Sequence, residues 1–510
     1  MAKDAIGHQQ IREISTRAWK RSWMTGKMRR VPTYYQDLID IIGTNPGHVI
    51  GSTACLGSFI DIKLLEYSSM QDAELYKKII NWCISMQQIF GKEDFYLEMQ
   101  PSNNKEQIIA NEGLLRLSQE LNIPYIITTD SHYLKKEDAP IHKAFLNAQE
   151  GEREVDAFYA TTYLMGAEEI ENYMNMFDED FFQIAYQNIL QIKEKCQDYD
   201  LKKPLKIPSL TWKEPSIKEI SNYWLEKIPY LKTFMDSSFD GDKRLAQIIV
   251  SKLTKNKKLQ EQKIYDEIND NLRITWISSE VNKAHWSAYF LNLQKIIDIC
   301  WEAGSLVGPG RGSGVGFLLL YILDIIQINP LWESTRTFSW RFLNPDRVSV
   351  LDVDTDIEGS KRPQVLQALR NFYGEDRVAN VATFGTEKSR SAIQTAARGL
   401  ELDADIALYI SSLIPADRGQ IRTLKQCYYG DEENDFKPIP QFIAEMNNYP
   451  ELWQVAQRIE GLVCRLGEHA GGVIFTDEPF TNSTALMRAP NGDIITQFDL
   501  HDSEKTSQFY

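Results

Sequence analysis

Three aspartates, Asp352, Asp354 and Asp356, alternate with Val353, Thr355 and Ile357 in the segment LDVDTDI, Leu351–Ile357. In an extended chain, residues i, i+2 and i+4 share one face. This spacing therefore predicts a strand whose carboxylates crowd together while its apolar residues face a core. Like charges so close repel unless a cation neutralises them. Oxygen-only donors suit hard divalent ions, Mg²⁺ above all. The competing reading, a solvated acidic turn, is opposed by the interleaved Val353 and Ile357.

Upstream lies a glycine-rich basic loop, VGPGRGSGVG, at Val307–Gly316. Glycines let backbone N–H groups converge on an anion without Cβ interference. Arg311 adds a charge-assisted contact, and Ser313, next to Gly312, a hydroxyl donor. The apolar run that follows predicts a helix whose N-terminal dipole favours phosphate. Neither the GK[ST] of a Walker loop nor the usual GxGxxG fingerprint is present, and taken alone the loop also fits a tight turn that packs a helix. A phosphate cradle followed by carboxylates spaced for metal ions suits nucleotidyl transfer. Two such ions can activate a 3′-hydroxyl and stabilise departing pyrophosphate.

The 510 residues are 43% hydrophobic and 25% charged, enough for three or four cored domains at roughly 150 residues each. No apolar run reaches the ~18 residues of a membrane span; GFLLLYILDII is shorter and contains Asp324. The polar N-terminus lacks a signal-peptide core. Six scattered cysteines suggest neither a disulfide framework nor a zinc module. A cytoplasmic chain with reduced thiols and no membrane partner is expected. The net charge of −15 speaks against a uniformly basic nucleic-acid binder, although acidic polymerases grip DNA through local basic surfaces.

Along the chain, the first 205 or so residues alternate strands and helices. HVIGSTAC (His48–Cys55), DFYLEMQ (Asp94–Gln100) and PYIITTDSHY (Pro124–Tyr133) read as strands, and EGLLRLSQELN (Glu112–Asn122) as a helix, which predicts a parallel α/β unit. Residues 206–290 read as helical. PQVLQALRNFYG (Pro363–Gly374) is a helix with a glycine stop. Residues 375–465 read as basic helices and loops, and GGVIF (Gly471–Phe475) and IITQFDL (Ile494–Leu500) as strands.

VGPGRGSGVG, RFLNPDRVSVLDVDTD, ATFGTEKSRSAIQTAARGL, LGEHAGGVIF and ITQFDLHDSE together resemble the bacterial replicative DNA polymerase III alpha subunit, in that family's order over Val307–Glu504. GSTACLGS, FYLEMQ and ITTDSHYLKKEDA are similar to its PHP (polymerase and histidinol phosphatase) domain. The resemblance implies a multidomain α/β fold. A partial PHP (β/α) barrel would occupy residues 1–205 and a helical thumb 206–290. A beta-type nucleotidyltransferase palm would cover 291–362, α-helical fingers 363–465, and a return to the palm 466–510. It implies DNA-directed DNA polymerase activity on primer–template DNA and dNTPs, with Mg²⁺ in a two-metal site. The family's first two metal-binding aspartates match Asp352 and Asp354, with Asp356 behind them. Its nucleotide-binding residues match Arg311, Gly312, Ser313, Arg341, Arg390, Arg398 and His469. Arg390 stands where the family usually has a lysine, and Phe317 where it often has a second serine.

Cys55, Asp130 and His132 match PHP metal-ligand positions, with Zn²⁺ or Mn²⁺ as candidate ions; Asp130 and His132 also fit a loop pair capping the next helix. The family's HxH opening motif has no counterpart, and its third catalytic aspartate would fall just beyond Tyr510. Asp499 and Asp502 match non-catalytic positions. The expectation is a chain that needs complementary polymerase fragments from a split gene or intein. The sliding clamp and other replisome proteins would be further partners, in the bacterial nucleoid or in the host cytoplasm of a phage. The alternatives are a non-catalytic replisome factor that binds DNA or dNTP, and a PHP-type phosphoesterase.

Overall fold

The computed structural model describes residues 1–26, 28–148, 159–202, 207–208, 218–332, 337–344, 346, 353–417 and 420–506. The chain divides into two units. One joins Met1–Tyr199 to Thr383–Gly467, and the other joins Asp200–Ala382 to Glu468–Tyr510. Both mix helices and strands, as the α/β reading anticipates.

In the first unit, parallel strands Gly51–Ser52, Phe95–Met99 and Tyr125–Ile127 lie in sequence order. Phe95, Tyr96, Leu97 and Met99 are all buried, the near-continuous apolar reading of a parallel strand covered on both faces. Parallel neighbours need a crossover, and the helix Lys105–Leu121 supplies it between the last two strands. The helix starts at Lys105, ahead of the predicted Glu112, because the Asn104 side chain caps its first turn by accepting from Glu106 N. Asn122 ends it in a left-handed conformation. Leu114 and Leu117 of this helix pack with Leu97, Ile127, Ile60 and Leu64 in one buried cluster.

The remainder of the first unit is helical, with Ser389–Gly399, Ala404–Ser412, Pro440–Asn448 and Pro450–Ile459 around a second core. The helix Ala139–Asn147 belongs to that core, where Ala144 packs among Ala392, Ile393 and Ala396. A Cβ placed on Gly399 would lie 1.9 Å from the Ala144 carbonyl oxygen, so only glycine permits this approach. Across the same seam Arg398 donates to Ala148 O at 3.0 Å, and Arg458 to the Asp138 carboxylate at 2.8 Å.

The second unit begins with the predicted helical region, including Asp240–Lys255, Gln262–Asn282 and Trp286–Glu302. Arg362–Tyr373 is the predicted glycine-stopped helix, ended by Gly374 at φ 120°. Four strands follow the spatial order Leu486–Arg488, Ile494–Asp499, Val378–Thr386, Val463–Phe475. The last contains the predicted GGVIF and the second the predicted IITQFDL. Val378–Thr386 corrects the reading of 375–465 as helices and loops alone. Its residues Val378 to Ala382 are all buried, so the segment shows no alternation, and the polar Asn380 interrupts its apolar text. Among the described residues, no helix is long and apolar enough to cross a membrane.

Gly399→Ala is expected to lower stability by about 1–3 kcal/mol through overpacking, read as a fall in melting temperature; an unchanged melting temperature would contradict the close contact. A second test concerns Asp61, fully buried in the first turn of Phe59–Met70. Burial, with the nearby Glu98 charge adding to it, pushes its carboxyl up to about 8. The folded group therefore stays protonated while the unfolded one ionises, so stability falls as pH rises from about 4 to about 8. Asp61→Asn is expected to raise the melting temperature more at pH 8 than at pH 5, and an equal gain at both would refute the assignment.

Candidate active site

The glycine loop and the acidic segment pair with each other in the second unit. Val307 bridges Ile357 and Arg311 bridges Asp354, both antiparallel, and Gly308 N donates to Asp356 O at 2.8 Å. Loop and acids are thus two sides of one short ladder. The contact is tight, because a Cβ on Gly308 would sit 2.9 Å from Asp356 Cβ. Gly312 adopts φ 75°, and a Cβ there would come within 3.2 Å of Asp354 Oδ2. Both positions call for glycine, the second also for its left-handed backbone.

The predicted alternation is visible in what each side chain touches. Val353 and Ile357 pack against the buried core of the unit. Asp354 and Asp356 turn the other way, onto one guanidinium. Arg311 Nη1 donates to Asp354 Oδ2 at 2.7 Å, while Nε and Nη2 donate to the two oxygens of Asp356 at 3.3 Å each. Asp352 lies outside the described residues. Arg311 and Asp356 are more than half exposed and Asp354 about one-third. Ion pairs this open to water contribute only ~0–1 kcal/mol, so a stronger cation or anion can separate them.

Gly312 and Ser313 are exposed at the loop tip. A single 3-10 turn, Ser313–Gly316, ends the loop, and the predicted helix comes after it as the short segment Leu318–Ile322. Phe317 is fully buried, its ring 5.6 Å from Phe290 and 5.3 Å from Phe342, so it anchors the loop to the core. Arg341 ends the exposed turn Ser339–Arg341 of the same unit.

His469 sits in the strand Val463–Phe475. Its Nδ1 accepts from Gly472 N at 2.6 Å and from Gly471 N at 3.3 Å. An accepting Nδ1 leaves the proton of the neutral ring on Nε2, which gives the HAGG block a physical role as an imidazole clamp. Next to it is a residue the sequence reading passes over. Glu468 Oε1 accepts from both Arg362 terminal nitrogens at 3.1 Å and from Asn380 at 2.7 Å, and Oε2 accepts from Asn491 at 3.0 Å. The buried polar Asn380 inside an apolar strand is the signal that could have revealed this network. Asp499 Oδ1 accepts from Asp502 N at 2.8 Å, capping the helix Leu500–Thr506.

The remaining predicted residues belong to the first unit. Arg390 donates through Nε to Ile414 O at 3.1 Å and through Nη2 to the same carbonyl. Arg398 is engaged by Ala148 O. Both arginines therefore hold backbone carbonyls within the helical cluster. Cys55 follows the strand Gly51–Ser52, and Asp130 and His132 follow Tyr125–Ile127, at the C-terminal ends of parallel strands. Asp130 takes φ 42°, and its carbonyl meets His132 Nδ1 at 2.7 Å. The His132 ring lies 5.0 Å from Tyr159 and 6.1 Å from His142. Among the described residues no group of three or more His, Cys, Asp or Glu side chains is placed to hold a metal, so Cys55, Asp130 and His132 do not gather into one.

The profile of the bacterial DNA polymerase III alpha NTPase domain matches residues 243–508, a span that includes the paired loop and acids and His469. The chain belongs to the bacterial DNA polymerase III alpha family. Within that family it is 39% identical over 525 positions to the "Probable DNA polymerase YorL" of Bacillus subtilis, covering 99% of this chain and 40% of that protein. The same figures hold for the "DNA-directed DNA polymerase" of Bacillus phage SPbeta. The DNA polymerase III subunit alpha of Aquifex aeolicus is 28% identical, over 99% of this chain and 42% of its own length. The chain thus spans about two fifths of the length of these relatives.

Glu468→Ala strands Arg362 and Asn380 without their acceptor and is expected to cost about 2–3 kcal/mol. Urea unfolding reads this as a lower midpoint, with Glu468→Gln falling between the wild type and Glu468→Ala; equal midpoints for all three would refute the network.

Proposed function

We propose that this chain carries the nucleotidyl-transfer site of a DNA-directed DNA polymerase. The observation that carries the reading is the antiparallel pairing of the Arg311 loop with the Asp354–Asp356 segment. It sets a phosphate-seeking cation and loop N–H groups beside carboxylates that suit hard cations. Membership of the family and the polymerase names of the relatives support it. The palm would comprise the loop, the acidic segment and the four-stranded sheet. Thumb helices would precede it, fingers would follow from Pro363, and the three-stranded parallel sheet would belong to a PHP fold.

The donor set of this site fits a divalent ion. Asp354 and Asp356 offer only oxygen, and a guanidinium already occupies the position of positive charge between them. Asp354, joined by Asp352, would hold Mg²⁺, which supplies charge neutralisation at the triphosphate and a more acidic 3′-hydroxyl. Arg311, freed from its weak exposed pairs, binds the triphosphate of the incoming dNTP, with Gly312 N–H and the Ser313 hydroxyl on adjacent oxygens. Arg341 adds positive charge at the same end. His469, held by the Gly471 and Gly472 amides, presents an Nε2–H donor. The bond formed joins the primer 3′ oxygen to the α-phosphorus, and the bond broken releases pyrophosphate, in line with the attack.

In the chain assembled with complementary polymerase fragments, Asp354→Ala is expected to slow primer extension on a labelled primer–template by roughly 10³-fold, ~4 kcal/mol of transition-state stabilisation. Arg311→Lys should retain more activity than Arg311→Ala, since it keeps the charge and loses the fork. No extension by either protein, with DNA binding unchanged in Asp354→Ala, would instead favour a protein that binds DNA or dNTP without catalysis.

A further inference from the structure

The turn that carries Arg341 also carries two aromatic residues, in the run TFSWRFL, Thr337–Leu343. Buried contacts seat its backbone on both sides. Phe342 and Leu343 are buried in the core of the second unit, and the Phe342 ring lies 5.3 Å from Phe317. Ahead of the turn, the Thr337 hydroxyl donates to Val315 O at 3.4 Å, and a Cβ on Gly316 would lie 3.1 Å from Phe338 O. The turn Ser339–Arg341 therefore packs against Ser313–Gly316, the end of the glycine loop.

Phe338 and Trp340 take no part in that burial. Phe338 is 55% and Trp340 60% exposed, with ring centres 6.3 Å apart and planes 25° from parallel. Neither the Trp340 indole N–H nor the exposed Arg341 guanidinium has a hydrogen-bond or ion-pair partner among the described residues. Aromatic side chains have only two torsions to fix, so rings on a seated backbone lose little freedom when they bind. A flat π-surface and an open cation thus stand beside loop N–H groups and Arg311. Those are complementary to the two halves of a nucleotide: a base with a π-face and an anionic phosphate.

We propose that Phe338 and Trp340 form a stacking platform for a nucleobase at the edge of the glycine loop. The base lies on the Trp340 ring, Phe338 extends the apolar surface, and Arg341 faces the sugar–phosphate. Stacking tolerates every base, since each has a π-face, as a site that copies any sequence requires. The base belongs to an incoming dNTP or to a DNA strand. The proposal rests on the polymerase reading for the class of ligand, and the two fail separately. Primer extension decides that reading; base fluorescence and binding without turnover decide this one.

The probe is 2-aminopurine, whose fluorescence falls when it stacks. The full chain is titrated into 2-aminopurine deoxyriboside triphosphate with MgCl₂, and separately into a primer–template with 2-aminopurine at the primer 3′ end. Wild-type protein should quench at least one of the two. Quenching of the triphosphate alone assigns the platform to the incoming nucleotide, and quenching of the primer alone assigns it to the strand. Trp340→Leu keeps apolar bulk and loses the π-face. It is expected to remove the quenching and to weaken binding of that probe roughly tenfold. Trp340→Tyr should restore most of both, and Phe338→Leu should give a smaller loss. Trp23→Leu, at a tryptophan 48% exposed in the first unit, should change neither. Far-UV circular dichroism confirms that each variant is folded. No quenching of either probe by wild-type protein, or wild-type quenching and affinity in folded Trp340→Leu, overturns the proposal. Unchanged quenching with a loss of self-association in sedimentation overturns it in favour of an interface between copies of the chain.

Discussion

The site depends on a backbone contact before it depends on any charge. Gly308 N–H bonds to the Asp356 carbonyl, and the loop lies so close to the acidic segment that a side chain at Gly308 would collide with Asp356. This ladder fixes where Arg311 emerges relative to Asp354 and Asp356. Buried Phe317 ties one end of the loop to the core, and Val353 and Ile357 tie the acidic segment to the same core. The chemistry is exposed, but the backbone that aims it is held on both sides.

Around this ladder the protein separates holding from reacting. Glu468 gathers Arg362, Asn380 and Asn491 into a network centred on its own largely buried carboxylate and buried Asn380, where an unpaired group would be costly. Arg311, Gly312 and Ser313 remain open to water, where pairs are weak and exchangeable. Rigid buried bonds set positions, and weak exposed ones let the polar groups of the loop change partners.

Much of this was legible because local patterns carried it. The period of two around Asp354 predicted which residues face the core and which converge, and the strand–helix–strand text of residues 94–127 predicted a parallel crossover. What stayed hidden depended on distant partners. Val378–Ala382 is buried throughout, so it lacks alternation, and Asn380 makes sense only once Glu468 is beside it. Arg390 and Arg398 meet the carbonyls of Ile414 and Ala148, and no local spacing announces those distant partners. Asp352, the first acid of the alternating run, is outside the described residues.

The glycine contact between Gly399 and Ala144 also has a consequence in time. Arg398 reaches back 250 residues to Ala148, and Arg458 reaches 320 residues to Asp138. A ribosome adding ~5–20 residues per second makes the helix Ala139–Asn147 roughly ten seconds to a minute before its partners exist. During that interval the face around Ala144 has no native cover. Closing so long a loop is slow, as for any fold of high contact order. The first unit is therefore assembled late, by the return of chain made long after its sheet.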